Sequence, residues 1–312
     1  MNENCLNINF SPSLLQELAA GHWFEGGYRV FVKREDLLHQ TVGGNKWRKL
    51  KYNLIEAQRQ GKSGLLTFGG AYSNHLYAVA AVGQLLGLST VGIVRGEPTS
   101  PLNATLRFAQ QQGMQLHFVS RIAYRDKAAL HASLAPFQEA YYFLPEGGTN
   151  ALALPGCAEL VEEARQQLAP QTIDYYCAAC GTGGTLAGMI TALQADEQAL
   201  GFSVLKGDFH RQEIQGLLGP KAERYQGRWH INTDYHFGGY ARHRPELIDF
   251  INTFRTRTGI PLDPVYTGKL FFGLFDLLRQ GYFPKGSTIL VVHSGGLQGI
   301  VGFNERFGSL LL

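Results

Sequence analysis

The chain has little excess charge of either sign. Its 28 basic and 25 acidic residues leave a net charge of +3 over 312 residues. That balance excludes functions that rest on bulk charge, such as coating nucleic acid or a membrane surface. Arg48, Lys49 and Lys51 form a local basic group, but no basic stripe continues beyond them. Cysteine is also scarce. Cys5, Cys157, Cys177 and Cys180 lack the spacing of a disulfide framework, which points to a reducing compartment. Cys177 and Cys180 form a single Cys-x-x-Cys pair with no second pair to complete a zinc site. They lie in an apolar, strand-like run and read as buried strand residues. No apolar run is long enough to span a bilayer, and no basic segment precedes an apolar one at the N-terminus. A soluble, cytoplasmic protein is expected. The histidines are scattered and no metal site is expected; His75 and His293 read as capping or supporting groups.

What the chain does have is alternation. A helix is expected near Ser11–Ala20 and a strand near Tyr28–Arg34. From Gly43 onward helices and strands take turns. The strands are Gly64–Phe68, Thr90–Val94, Leu116–Val119 and Tyr141–Leu144. The helices follow Lys46 and cover Asn74–Leu86, Ala104–Gln112 and Asp126–Ser133. After residue 150 the pattern resumes with strands at Ile173–Ala179, Ser203–Lys206, Trp229–Asp234 and Thr288–Val292. Its helices are Cys157–Leu168, Thr185–Ala195, Arg211–Leu218, Pro245–Thr258 and Gly268–Arg279. Such alternation implies parallel βαβ units, and short apolar strands suit sheets covered on both faces. The fold class is α/β, in two units with no obvious linker between them.

Glycine is plentiful, and it gathers at strand ends. Gly181, Thr182, Gly183, Gly184 and Thr185 follow a strand and open a helix. Free backbone N–H groups, two hydroxyls and a helix N-terminus make a cradle for a phosphate. The run is not a dinucleotide fingerprint, because Leu186 stands where the third glycine belongs. Gly61-Lys62-Ser63 is not a Walker A loop, because Glu56 stands where its first glycine belongs. One phosphate on one helix end suggests a monophosphate ligand; a tight strand–helix turn is the plainer alternative. Ser73, Asn74 and His75 open the helix after the Gly69-Gly70 turn, where Ser73 or Asn74 can cap it or bind a carboxylate. Tyr266 and Thr267, and Ser294, stand at further polar, glycine-flanked turns.

Gly43, Gly44 and Asn45 lead into Lys46, after which Trp47, Leu50, Leu54 and Ile55 take helical spacing. Lys46 therefore sits at the mouth of a helix, where the dipole opposes its charge. With Arg48, Lys49 and Lys51 near, it should shed its proton easily, as an amine that attacks an aldehyde must. A solvated basic helix face is the commoner fate of such residues.

Seven stretches decide between these readings: Lys33–Asp36, Gly43–Leu50, Ser73–His75, Gly147–Asn150, Gly181–Gly188, Asp263–Lys269 and His293–Gly296. Together, and in family order, they resemble the fold-type II pyridoxal-phosphate enzymes. More narrowly they resemble the group holding D-cysteine desulfhydrase and 1-aminocyclopropane-1-carboxylate (ACC) deaminase. The resemblance implies a tryptophan synthase beta-like architecture of two open, mostly parallel twisted sheets. It implies a smaller domain over residues 43–150 and a larger, cofactor-binding domain from 1–42 plus 151–312. The implied cofactor is pyridoxal 5'-phosphate, held covalently by Lys46, which also moves the α-proton. The resemblance places the phosphate on Gly181–Thr185, Asn74 near the ring hydroxyl, and Ser294 or Thr267 at the pyridine nitrogen, with Ser294 favoured. Ser73, Asn74, His75, Tyr240 and Tyr266 are implied to meet a small amino-acid substrate, with Ser73 and Tyr266 taking part in catalysis. A homodimer is also implied.

Where ACC deaminases resemble Tyr-Glu-Gly and Ser-Asn-Gln, this chain has Tyr266-Thr267-Gly268 and Ser73-Asn74-His75. Both differences favour D-cysteine-like β-elimination, which releases ammonia and a 2-oxo acid, over ACC ring opening. A binding protein that holds a phosphate ligand without chemistry is the rival of another class. It has little need for a lysine at this turn.

Overall fold

The computed structural model describes residues 10–19, 23 and 25–312. In chain order its first half comprises β1 (Leu14–Leu18), β2 (Arg29–Arg34), α1 (Asn45–Arg59), β3 (Gly64–Gly70), α2 (Asn74–Leu86), β4 (Ser89–Arg95), α3 (Ala104–Gln111), β5 (Gln115–Val119), α4 (Arg121–Arg125), α5 (Lys127–Ser133) and β6 (Tyr141–Leu144). The second half adds α6 (Ala153–Leu168), β7 (Tyr175–Cys180), α7 (Gly184–Thr191), β8 (Gln198–Ser203), α8 (His210–Leu218), β9 (Trp229–Asn232), α9 (Pro245–Thr258), α10 (Thr267–Arg279), β10 (Thr288–His293) and α11 (Gln298–Phe307).

The strands form two sheets, a six-stranded one in the order β1-β2-β10-β7-β8-β9 and a four-stranded one in the order β5-β4-β3-β6. Every pairing is parallel except β1 with β2. Both sheets are covered on both faces, and the period of two along each strand sorts the side chains. On β10, Ile289 and Val291 enter the core shared with α9 and α10, while Leu290 and Val292 enter the core shared with α6, α7 and α8. On β3, Leu65 packs toward α1, α2 and α3, and Leu66 packs with Tyr124 and Leu130 of α4 and α5. Cys157, Cys177 and Cys180 are free and buried in these cores.

Three expectations need correction. The segment read as a helix at Ser11–Ala20 forms the edge strand β1; Ala20 lies outside the described residues. Pairing with β2 overrides local preference here: Leu14 to Leu18 register against Arg34 to Val30, and Glu17 meets Arg29 at 2.9 Å. The strand placed at Ser203–Lys206 is instead β8, ending at Ser203. Gly201 obscured it by breaking the apolar run. A Cβ at Gly201 would lie 2.5–2.7 Å from Ile231, Leu186 and Cys180, so glycine is what the packing admits. Helix α11 was not expected at all, and Asp126–Ser133 is the second of two short helices, α4 and α5.

Candidate active site

The carboxyl ends of both sheets open on one cleft of about 1020 Å³, the usual place for a ligand in open α/β folds. Lys46, Ser73, Asn74, His75, Gly181, Thr182, Gly183, Thr185, Tyr240, Tyr266 and Ser294 all line it. Gly184 sits behind the lining, where a Cβ would meet Thr149 at 2.8 Å. Thr267 is not brought to the cleft. It is fully buried, and its hydroxyl donates to Asp263 Oδ1 at 2.8 Å while accepting from the Asp263 N–H at 2.8 Å.

Gly44 sets the position of Lys46. Its φ of 76° needs glycine, and a Cβ there would strike the Ser294 carbonyl at 2.1 Å. The α1 entrance therefore lies directly against the turn after β10. Lys46 Nζ donates to Asn45 Oδ1 at 2.9 Å, and Asn45 Nδ2 donates to Thr185 Oγ1 at 2.7 Å. Asn45 thus ties the amine to the glycine loop across the cleft. Burial, and then the charge of Lys49, push the Lys46 amine down to about 7. Arg48 and Lys51 contribute little to this, because both are paired elsewhere: Arg48 with Glu35 and Glu163, Lys51 with Glu159.

Across the cleft, α7 starts at Gly184 with no side-chain cap, although its first turn is buried. Among the described residues its leading N–H groups have no acceptor, which leaves them open to a ligand. Lys49, itself lowered to about 8 by burial, donates to Gly147 O at 3.1 Å, Thr149 Oγ1 at 2.9 Å and Thr182 Oγ1 at 3.2 Å. It fastens the loop after β6 to the loop after β7. His210 Nε2 lies 3.0 Å from the Gly181 carbonyl and steadies the same loop.

Ser73 is the cap of α2, accepting from the N–H groups of His75 and Leu76 at 3.2 Å. Its hydroxyl proton remains free to donate. Asn74 accepts from Gln298 at 2.8 Å. His75 is 1% exposed, and neither ring nitrogen has a hydrogen-bond partner among the described residues. Burial and the charges of Lys46 and Lys49 keep this imidazole neutral, well below its ordinary pKa. Tyr266 is raised well above the ordinary phenol value, first by burial and then by Tyr240, whose ring lies 6.1 Å away edge-on. Tyr266 is thus a proton donor rather than a phenolate. Among the described residues no group of His, Cys, Asp or Glu is arranged to hold a metal.

Sequence reasoning passed over Asn45, Asp263 and Gln298, and treated Lys49 only as a source of charge. Lys49 carried a signal, since it lies three residues from Lys46 on one helical face. Asn45 and Gln298 find their partners, Thr185 and Asn74, far along the chain, whereas Asp263 acts on Thr267 only four residues away. As a whole the cleft fits a ligand that joins a phosphate to a carbonyl. The uncapped helix end supplies donors for the phosphate, and an amine near half-neutrality supplies the nucleophile for the carbonyl.

Comparison with known proteins agrees with this chemistry. The family model described as "Pyridoxal-phosphate dependent enzyme" matches residues 22–295. A Pyrococcus horikoshii protein named putative 1-aminocyclopropane-1-carboxylate deaminase is 30% identical, over 97% of this chain and 93% of its own. The Arabidopsis thaliana protein named bifunctional D-cysteine desulfhydrase/1-aminocyclopropane-1-carboxylate deaminase, mitochondrial, is 32% identical over 91% of this chain and 76% of its own. The crystal structure of an ACC deaminase homologue superposes with a TM-score of 0.82 at 29% identity, covering 96% of this chain and 94% of that one.

Proposed function

We propose that this chain, which belongs to the pyridoxal-phosphate-dependent enzymes, deaminates a small amino acid by β-elimination. The substrate loses its α-proton and its β-substituent, and water hydrolyses the remaining imine to a 2-oxo acid and ammonia. The observation that carries the reading is the placement of Lys46. A lysine amine at about 7 faces the uncapped α7 N-terminus and is joined to it through Asn45 and Thr185.

Bound pyridoxal phosphate supplies the electron sink that makes the α-proton acidic. Lys46 holds the cofactor and, once released, accepts the α-proton at Nζ. Gly181–Thr185 hold the phosphate through their backbone N–H groups. Ser73 and the α2 N-terminus bind the substrate carboxylate, with Asn74 and His75 beside it. Tyr266, kept protonated, donates to the departing group, and Tyr240 orients it. Ser294 takes the pyridine nitrogen, because Thr267 is committed to Asp263. A neutral hydroxyl in that place makes a weaker sink than a carboxylate, which suits β-elimination.

D-Cysteine is our first substrate. ACC ring opening is the second reading, supported by relatives named for that activity. We place the enzyme in the cytoplasm as a homodimer, with residues 43–150 as its smaller domain and 1–42 plus 151–312 as its larger one. Buried free cysteines support a reducing compartment, and among the described residues no helix is long and apolar enough to cross a membrane. Light scattering measures the assembly.

The test is the visible spectrum of the purified protein before and after borohydride, with mass spectrometry of the reduced product. A yellow chromophore trapped on Lys46 and altered by D-cysteine or ACC is expected. A protein that stays colourless with added pyridoxal phosphate overturns the reading and leaves a phosphate-ligand-binding protein without catalysis.

A further inference from the structure

The proposed chemistry uses the inner end of the cleft. Its outer end holds cations that the chemistry leaves idle. Arg95, Arg121, Arg125 and Lys127 line the same cavity, against two acidic lining residues, Asp36 and Glu146. Both acids are already engaged. Asp36 meets Arg34 at 2.7 Å and His293 at 3.2 Å, and Glu146 lies 3.7 Å from Lys127. Among the described residues, Arg95, Arg121 and Arg125 have no carboxylate within ion-pair distance. The cofactor phosphate does not account for them, since its cradle is at α7 and is served by backbone N–H groups.

Arg95 is the best placed of these. It is the last residue of β4, at the carboxyl edge of the smaller sheet. Its Nη2 lies 3.5 Å from where a Cβ on Gly70 would stand, so the guanidinium leans over the turn that leads, three residues on, to Ser73. It also lies over Tyr124, its centre 5.5 Å from the ring centroid, and shares that ring with Lys127 at 3.9 Å. Tyr124 is a buried platform whose hydroxyl has no hydrogen-bond partner among the described residues, although Glu146 lies near enough to act on it. A guanidinium held beside an aromatic ring, with its fork free, is suited to bidentate capture of an oxyanion. The cleft, at about 1020 Å³, also lies at the upper end of ordinary small-molecule sites, which run from about 300 to 1,000 Å³.

We propose that Arg95 docks a second negative charge, carried on the departing β-substituent of the amino-acid substrate as a carboxylate, sulfonate or phosphate. The preferred substrate is then an acidic amino acid, ahead of D-cysteine, bound at both ends, its α-carboxylate at Ser73 and its side-chain oxyanion at Arg95. This rests on the reading of the cleft as an amino-acid site. Arg121 and Arg125, at the two ends of α4, add to the positive field that draws such a substrate in.

The test uses the holoenzyme and compares anionic with neutral ligands of similar shape. Inhibition constants are measured for aspartate and asparagine in both enantiomers. Turnover is measured for cysteine, cysteate and O-phosphoserine. The wild-type enzyme should favour the anionic member of each comparison. In Arg95→Gln that preference should fall by about 10- to 100-fold, through KM and inhibition constants rather than kcat. Arg95→Lys keeps the charge but loses the fork and should recover part of the preference. Which acid binds best identifies the oxyanion. An unchanged preference in Arg95→Gln overturns the proposal. So does an enzyme that turns over neutral amino acids and rejects all three acids, which leaves the deaminase reading intact. If no amino acid of either kind alters the chromophore, the deaminase reading itself fails and takes the proposal with it.

Discussion

Helix α1 carries two sets of cations that differ in what faces them. Toward α6, Arg48 holds Glu35 through two hydrogen bonds of 2.8 and 2.9 Å and Glu163 through two of 2.6 and 2.8 Å. Lys51 meets Glu159 at 2.9 Å on the same side. Toward the cleft, Lys46 and Lys49 have only amide, hydroxyl and carbonyl oxygens as hydrogen-bond partners, and no carboxylate within ion-pair distance among the described residues. The consequence is opposite in sign. Glu35 and Glu163 hold the Arg48 guanidinium above its ordinary pKa despite the opposing effect of burial, whereas burial lowers both cleft lysines. A charge with a partner becomes structural cement. A charge buried without one becomes reactive.

Removing Lys46 should break this comparison most completely. Lys46→Ala should abolish the trapped chromophore and reduce ammonia release by on the order of 10³-fold or more. The same assay on Arg48→Met should show the contrast. Here the loss falls on stability, at about 3–5 kcal/mol, because Glu35 is left buried without its partner. Denaturant unfolding measures that loss.

Lys49→Met sharpens the comparison within the cleft. Lys46 reacts as the neutral amine, so cofactor capture by the apoprotein should rise with pH through about 7. Removing the Lys49 charge should move that midpoint upward, and stopped-flow absorbance against pH would show it. The linkage to folding has a matching sign. The folded pKa of Lys46 is depressed, so between about 7 and the ordinary lysine value the unfolded chain holds the extra proton. Stability contributed by this group therefore rises with pH across that window and is lowest below it. Replacing Lys49 should narrow the window, as unfolding free energy measured at several pH values would show. The smallest effect should come from Lys51→Met. Its pair with Glu159 is partly exposed, so a loss of about 1 kcal/mol or less is expected in thermal unfolding, with the chromophore unaltered.

Much of this protein was legible in the chain. Periodicity identified the α/β class, most of the order of elements and the glycine turns at strand ends, because each of those signals is local. Lys46 at a helix mouth, Ser73 at a cap and Gly181–Thr185 at a strand–helix turn were readable for the same reason. Local signals failed where distant residues dictate conformation. At β1 the pairing with β2 outweighed helical preference, and at Gly201 three side chains from elsewhere demanded glycine inside a strand.

Charge partners were the least legible feature. Arg48, Lys49 and Lys51 look alike in sequence, yet Glu159 and Glu163 stand more than 100 residues away and come to α1 only through the packing of α6. Likewise Thr267 and Ser294 are both hydroxyls at glycine turns, and only the fold shows that one is sealed under Asp263 while the other opens on the cleft. The sequence by itself determined which residues could do chemistry, because helix ends and turns are set by near neighbours. Tertiary structure alone decided which of them are free to do it, because burial and neutralising charge depend on contacts that cross the whole chain.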